Sequence, residues 1–133
     1  MNKLVAVYGT LKQGFGNHRL LQHCTKVGTV DLEGWDMYSL GGFPAVCKGN
    51  GTILAEVYEV EDLATMVALD RLEGYRAKDE ASSFYLRRTV DTPFGDAYMY
   101  MMEPNDSYLS GRPKIADGDW RPSGRCYSQR VES

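Results

Sequence analysis

The sequence predicts an α+β domain: a small mixed β-barrel, strongly curved or closed, with one main helix and a few short ones. Three observations predict it. Strand-like runs dominate the chain, one segment has a sustained helical period, and the connections are short. At 133 residues the chain suits one domain with one core. No internal repeat or linker interrupts it. Residues 1–120 are expected to form the domain and 121–133 a C-terminal tail, a candidate mobile segment.

The elements follow in order. Lys3 to Tyr8 contains the apolar run Leu4-Val5-Ala6-Val7 and reads as a buried first strand. Asn17 to about Cys24 reads as a helical turn or short helix. Thr25 to Leu32 alternates, with Val27 and Val30, as a second strand. Gly34 to Ser39 spaces Trp35, Met37 and Tyr38 as a further strand face. Leu40-Gly41-Gly42-Phe43-Pro44 is a turn, and Ala45-Val46-Cys47 a short edge strand. Lys48-Gly49-Asn50-Gly51 reads as a hairpin, because Asn-Gly tolerates the positive φ of a type I′ turn. Thr52 to Val60 is the best strand. Asp62 to Leu72 is the best helix: Asp62 can cap it, and Leu63, Met66, Val67, Leu69 and Leu72 keep helical spacing. Gly74 sits where a left-handed residue would end it. Tyr85 to Thr92 and Asp96 to Met102 form two strands joined by Pro93-Phe94-Gly95. After Glu103-Pro104-Asn105 the pattern fades, and the remainder reads as loop, lid or partly mobile tail, or equally as a segment packed in order against the barrel.

Composition narrows the function. With 43% hydrophobic and 25% charged residues the chain is expected to be soluble and globular. A net charge of −3 speaks against a nucleic-acid partner, which needs a sustained basic face. Arg87-Arg88 reads as one residue in and one out on a strand, with Arg87 able to pair with a carboxylate. No run approaches the ~20 apolar residues of a membrane span, so no membrane partner is expected. Met1-Asn2-Lys3 leads straight into the first strand, which leaves no room for a signal peptide. Cys24, Cys47 and Cys126 are an odd set without metal-ligand spacing, and free thiols point to the cytoplasm. No metal and no cofactor are expected. His18, His23 and Cys24 are poorly spaced for one helical face, no Gly-Lys-Ser/Thr makes a P-loop, and no Ser-His-Asp set is signalled. Tyr58, Tyr85, Tyr98 and Tyr100 lie on strands as core or pocket wall. Oligomeric state is not encoded in any of these features.

Two stretches carry chemistry. Tyr8-Gly9-Thr10-Leu11-Lys12-Gln13-Gly14-Phe15-Gly16-Asn17-His18 takes the chain from a strand into a glycine-rich turn and back into order. Such a turn leaves backbone N–H groups unpaired and suits a carboxylate or oxyanion. It is equally the form of a plain tight turn. Leu69-Asp70-Arg71-Leu72-Glu73-Gly74-Tyr75 puts a carboxylate at a helix end, the place also of many solvated surface groups.

Tyr8-Gly9-Thr10-Leu11-Lys12, followed by Gly14 and Asn17, resembles the opening motif of the γ-glutamylcyclotransferase-like (AIG2-like) proteins. It is nearest in wording to their γ-glutamylamine cyclotransferase branch. Phe43-Pro44-Ala45 is similar to the family's Pro-containing turn, and Leu69 to Glu73 to the helix end carrying its catalytic glutamate. Tyr85-Leu86-Arg87-Arg88-Thr89-Val90 is similar to its following strand, and Gly118-Asp119-Trp120 to its closing element. The resemblance implies the γ-glutamylcyclotransferase-like fold and a small-molecule γ-glutamyl substrate, and it requires no cofactor. The implied reaction is attack of an α-amine on its own γ-carbonyl, releasing 5-oxoproline and a free amine. It implies Glu73 as general acid/base and Tyr8, Gly9, Thr10 and Leu11 as the substrate-binding loop. The rival from another class is a non-catalytic binding or regulatory module for a γ-glutamyl or 5-oxoproline-like molecule.

Overall fold

A computed structural model describes residues 3–121. Five strands form one mixed sheet: β1 (Leu4–Val7), β2 (Thr25–Ser39), β3 (Pro44–Glu59), β4 (Leu86–Thr92) and β5 (Gly95–Met101). Their order is β2-β3-β1-β5-β4. β1 lies in the middle, antiparallel to β3 and parallel to β5, while the β2–β3 and β4–β5 pairs are antiparallel hairpins. The sheet is curled but not closed, since β2 and β4 remain its two edges.

Strand alternation divides the buried residues between two cores. Val5 and Val7 face one side with Tyr58, Val60, Tyr100 and Met102. The helix α1 (Leu63–Leu72) covers that side with Met66 and Leu69, and Leu21 joins from a 3-10 helix, Gly16–Leu21. Ala6 faces the other side, where the curled sheet packs Trp35, Met37, Ile53, Met99 and Trp120 together.

The helix begins as expected. The Asp62 carboxylate accepts the Thr65 N–H at 2.9 Å, a cap that contributes about 1 kcal/mol. It also ends as expected, with Gly74 at φ +67°. Its apolar face is narrower than the spacing implied: Leu63, Val67 and Leu72 are exposed, and only Thr65, Met66 and Leu69 are buried.

Four expectations are corrected. Thr25–Leu32 and Gly34–Ser39 are one strand, β2, which passes Gly34 in an irregularity at φ +90°. Lys48-Gly49-Asn50-Gly51 is not a hairpin but the interior of β3. The register steps from Glu33↔Thr52 to Trp35↔Lys48, so Gly34 alone opposes Gly49, Asn50 and Gly51. The glycines serve a close approach: Gly51 N–H donates to Asp36 Oδ1 at 3.0 Å, and a Cβ on Gly49 would lie 2.0 Å from Asp36 Oδ2. The true hairpin turn is Leu40–Phe43, closed by the Leu40 N–H to the Phe43 carbonyl at 2.9 Å. Ala45-Val46-Cys47 is no edge strand either. It is a buried part of β3, and the Val46 carbonyl accepts the Met102 N–H at 2.9 Å. Arg87 and Arg88 are both partly buried, and each has an acidic partner, Asp70 and Glu80 respectively.

Past Glu103 the chain packs as far as Trp120. The Ser39 N–H donates to the Pro113 carbonyl, the Ile115 N–H to Met37 and the Leu54 N–H to Gly118. Gly118 lies so near β3 that a Cβ would come 2.0 Å from the Thr52 carbonyl oxygen. Of the expected tail, 121–133, residues 122–133, with Cys126, lie outside the described residues. No described helix is long and apolar enough to cross a membrane.

Candidate active site

A cavity of about 380 Å³ opens at the C-terminal end of β1. The residues that follow the strand, Tyr8 to Leu11, form one wall, and Glu73 at the end of α1 forms another. All five residues singled out in the sequence therefore meet in one place. Pro44, Tyr85 and Tyr100 complete the buried end.

The loop is held by short-range bonds. The Lys12 N–H donates to the Gly9 carbonyl at 3.0 Å, closing a tight turn. Asn17 Nδ2 donates to Thr10 Oγ1 at 2.9 Å, and His18 Nδ1 lies 2.9 Å from the Leu11 carbonyl. These contacts occupy the loop's side chain and carbonyls. The backbone N–H groups of Gly9, Thr10 and Leu11 have no partner among the described residues. Gly9 and Leu11 are buried and Thr10 half-buried, and buried donors without partners are costly unless a ligand or water meets them, so a loop of this kind can receive an oxyanion. Gly9 has a further reason to be glycine. Its Cβ would come 2.8 Å from Pro44 Cγ, so the turn at Pro44 seats directly on it.

Lys12 was not singled out in the sequence, yet it is buried. Its Nζ donates to Asp119 Oδ1 at 2.8 Å and to the Trp120 carbonyl at 2.9 Å. The glycine loop is thereby fastened to the far end of the described chain.

Glu73 is placed by backbone bonds on both sides. Its N–H donates to the Leu69 carbonyl at 2.9 Å, while its own carbonyl accepts the Tyr85 N–H at 3.3 Å. The Gly74 carbonyl accepts the Phe84 N–H at 2.9 Å, so the helix end is strapped to the segment entering β4. The carboxylate has no hydrogen-bond or ion-pair partner among the described residues. Burial pushes its pKa up from 4.5 to about 7, because ionisation there loses hydration without a compensating charge. Asp70, one turn earlier, has a contrasting setting. It accepts the Tyr100 hydroxyl at 2.5 Å and Arg87 Nη1 at 2.8 Å, and Arg87 stacks on Tyr98 with its guanidinium 4.3 Å from the ring centroid. Asp70 is thus committed to structure, and Glu73 is the open carboxylate.

Three tyrosines stand close enough to feel the Glu73 charge. Burial is the main cause raising the pKa of Tyr8, Tyr85 and Tyr100, and the negative charge of Glu73 adds to it. They therefore remain protonated. Tyr8 donates to the Tyr100 carbonyl at 2.8 Å and Tyr85 to the Pro44 carbonyl at 2.6 Å, which locks both rings against the cavity. Tyr85 and Tyr100 were read only as core or wall, because nothing local marks a strand tyrosine as facing a pocket. Asn17 had a signal, standing at the re-entry of the glycine turn. His18 and His23 are engaged separately, His18 with Leu11 and His23 with Thr65 at 2.8 Å.

The fold and the cavity define the class: a curled-sheet α+β domain with a small-molecule-sized pocket at the end of its central strand. Residues 5–122 match the family described as Gamma-glutamyl cyclotransferase, AIG2-like, and the chain belongs to that family. It is 33% identical over 116 residues to the Gamma-glutamylcyclotransferase family protein YtfP of Escherichia coli, spanning 87% of this chain and 94% of that one. The solution structure of the E. coli protein ytfP superposes with a TM-score of 0.67 at 32% identity, covering 92% of this chain and 99% of that one. The crystal structure of PH0828 from Pyrococcus horikoshii gives 0.67 at 30% identity, with 87% of each chain covered. A mouse AIG2-like protein shares the fold at a TM-score of 0.69 and 21% identity, covering 98% of this chain and 95% of that one.

Proposed function

We propose that this protein is a cyclotransferase that releases 5-oxoproline and a free amine from a γ-glutamyl amine. The observation that carries this reading is one buried-end carboxylate, Glu73, unpaired and poised near neutrality, in the same cavity as three unpaired backbone donors. Family membership supports it.

In the reaction, the substrate α-ammonium loses a proton to the Glu73 carboxylate and becomes nucleophilic. Its nitrogen attacks the γ-carbonyl carbon and closes a five-membered ring. Charge develops on the γ-oxygen, and in this reading the Thr10 and Leu11 N–H groups receive it. The bond from the γ-carbon to the departing nitrogen then breaks. Two protons in all leave the attacking nitrogen and two arrive on the departing one, with Glu73 returning the proton it took. Atoms and charge balance without an oxidant or a hydrolytic water. A carboxyl near 7 is divided between its two forms at neutral pH, which suits a group that must act first as base and then as acid. Holding amine and carbonyl in attack geometry contributes several kcal/mol more.

The test is 5-oxoproline release from γ-glutamyl-ε-lysine, γ-glutamyl amino acids and glutathione. Glu73→Gln keeps the shape but carries no transferable proton, and a loss of at least ~100-fold is expected. Full turnover by a folded Glu73→Gln protein would refute the assignment. Binding of 5-oxoproline without turnover of any member, or of a γ-glutamyl alkylamide whose leaving group bears no carboxylate, would favour the binding module instead.

A further inference from the structure

The cavity has two chemically different ends. At the inner end stand half-buried Glu73, the glycine loop and the buried side chains of Tyr8, Tyr85 and Tyr100. The cavity's most exposed walls are Gly42, Phe43 and Leu72, with Phe84 half-buried beside them, and none of these side chains offers a hydroxyl, amide or charge; the polar wall residues Thr10 and Asn17, also half-buried, are hydrogen-bonded to each other. Phe43 is 38% exposed and Leu72 41%, which is unusual for large apolar groups flanking one opening. The aromatic surface continues outward. Phe84 packs edge-on to Phe43 with centroids 6.0 Å apart, and Tyr108, 50% exposed, packs on Phe84 at 4.7 Å. Phe84 is also braced by Tyr85 at 5.0 Å, so the rim has a fixed geometry.

Charge is the second observation. Among the described residues, no Lys or Arg side chain lines this cavity, and its one ionisable acid is Glu73. Lys12 is turned to Asp119 and Arg87 to Asp70. A leaving group that carries a carboxylate would therefore meet apolar walls and a nearby negative charge, with no cation to receive it.

We infer that the rim of Phe43, Leu72 and Phe84, extended by Tyr108, is the leaving-group subsite, and that it selects amines bearing an apolar or aromatic group and no carboxylate. The inference rests on the cyclotransferase reading for the placement of the γ-glutamyl end. With that end fixed at Glu73 and the glycine loop, the substituent on the departing nitrogen has the open end as its exit. γ-Glutamyl amino acids and glutathione are then poor substrates, because their carboxylate lies where the walls are apolar. γ-Glutamyl conjugates of arylalkylamines are good ones.

Three probes test this: γ-glutamyl-ethylamide, γ-glutamyl-phenethylamide, and γ-glutamyl-phenylalanine, which adds a carboxylate to the same ring. Turnover is read as kcat/KM, and affinity is read by calorimetry on the Glu73→Gln protein. The phenethylamide is expected to exceed the ethylamide roughly tenfold or more in both readouts, the low end of what burying a phenyl ring provides. It should exceed the phenylalanine conjugate by a similar factor. Phe43→Ala and Phe84→Ala should each shrink the ratio of phenethylamide to ethylamide towards one. Equal affinity for phenethylamide and ethylamide, or a preference for the phenylalanine conjugate, would overturn the subsite. A phenyl preference in binding with no 5-oxoproline from any probe would keep the subsite and overturn the reaction.

Discussion

Replacing Glu73 by glutamine is expected to stabilise the protein at pH 8 and not at pH 4. The carboxyl has a pKa of about 7 when folded, raised from 4.5 by burial. Between those values the folded chain holds a proton that the unfolded chain releases. Wild-type stability therefore falls as pH rises from about 4.5 to 7, and above 7 the ionised carboxylate costs the folded state about 3 kcal/mol. Glutamine has the same outline and does not titrate. The stability gap between variant and wild type should thus shift in the variant's favour by about 3 kcal/mol from pH 4 to pH 8. Any fixed cost of placing an amide there cancels in that difference. Urea unfolding followed by the fluorescence of Trp35 and Trp120 measures it. With a urea dependence of about 1–3 kcal/mol per molar, the separation of midpoints should change by roughly 1 M or more. Parallel pH curves for the two proteins would refute the claim that the half-buried Glu73 carboxyl is desolvated without a compensating charge.

Other expectations follow from the same geometry. The kcat/KM of the cyclotransferase reaction should fall with unit slope below pH 7, as the carboxylate form of Glu73 is lost, and a profile flat from pH 5 to 8 would count against its role as base. Gly9→Ala brings a Cβ to 2.8 Å from Pro44 Cγ and should cost about 1–3 kcal/mol, lowering the thermal midpoint along with affinity for 5-oxoproline. Gly118→Ala combines a φ of +67° with a Cβ 2.0 Å from the Thr52 carbonyl oxygen, and a loss of at least ~3 kcal/mol is expected in denaturant titration. Asp62→Ala removes the helix cap and should cost about 1 kcal/mol with little change in turnover, since the cap lies at the far end of α1 from Glu73.

What the sequence made legible was local. Asp62 and Gly74 bracket the helix because a cap acts over three residues, and Leu4 to Val7 read as buried because both faces of a central strand are apolar. The Asn50-Gly51 reading failed for a physical reason. A permissive dipeptide allows a turn but does not require one, and here the missing side chains make room for Asp36 from the neighbouring strand. The loop and Glu73 stand in recognisable motifs, and Tyr85 and Tyr100 are expected as core or pocket wall, but which strand tyrosines reach the cavity is not legible. Pro44, Tyr85 and Tyr100 reach the cavity only through the order in which the strands pair, which no local spacing records. Lys12 enters the sequence reading only as part of the opening motif, with no role of its own. Its partner stands 107 residues away.

That lysine has a kinetic consequence. β1, which precedes the other four described strands, is the centre of the sheet, and its parallel neighbour β5 is not made until Gly95–Met101. The loop after β1 is fastened later still, when Asp119 and Trp120 reach Lys12. Loop-closure entropy over such separations must be overcome before these contacts return anything, which slows folding. During synthesis on the ribosome, the hairpin of β2 and β3 can form from neighbouring residues well before β1 has both partners. The pocket is therefore among the last parts of the molecule to take shape, and a nascent chain stopped short of Trp120 carries the glycine loop without its anchor.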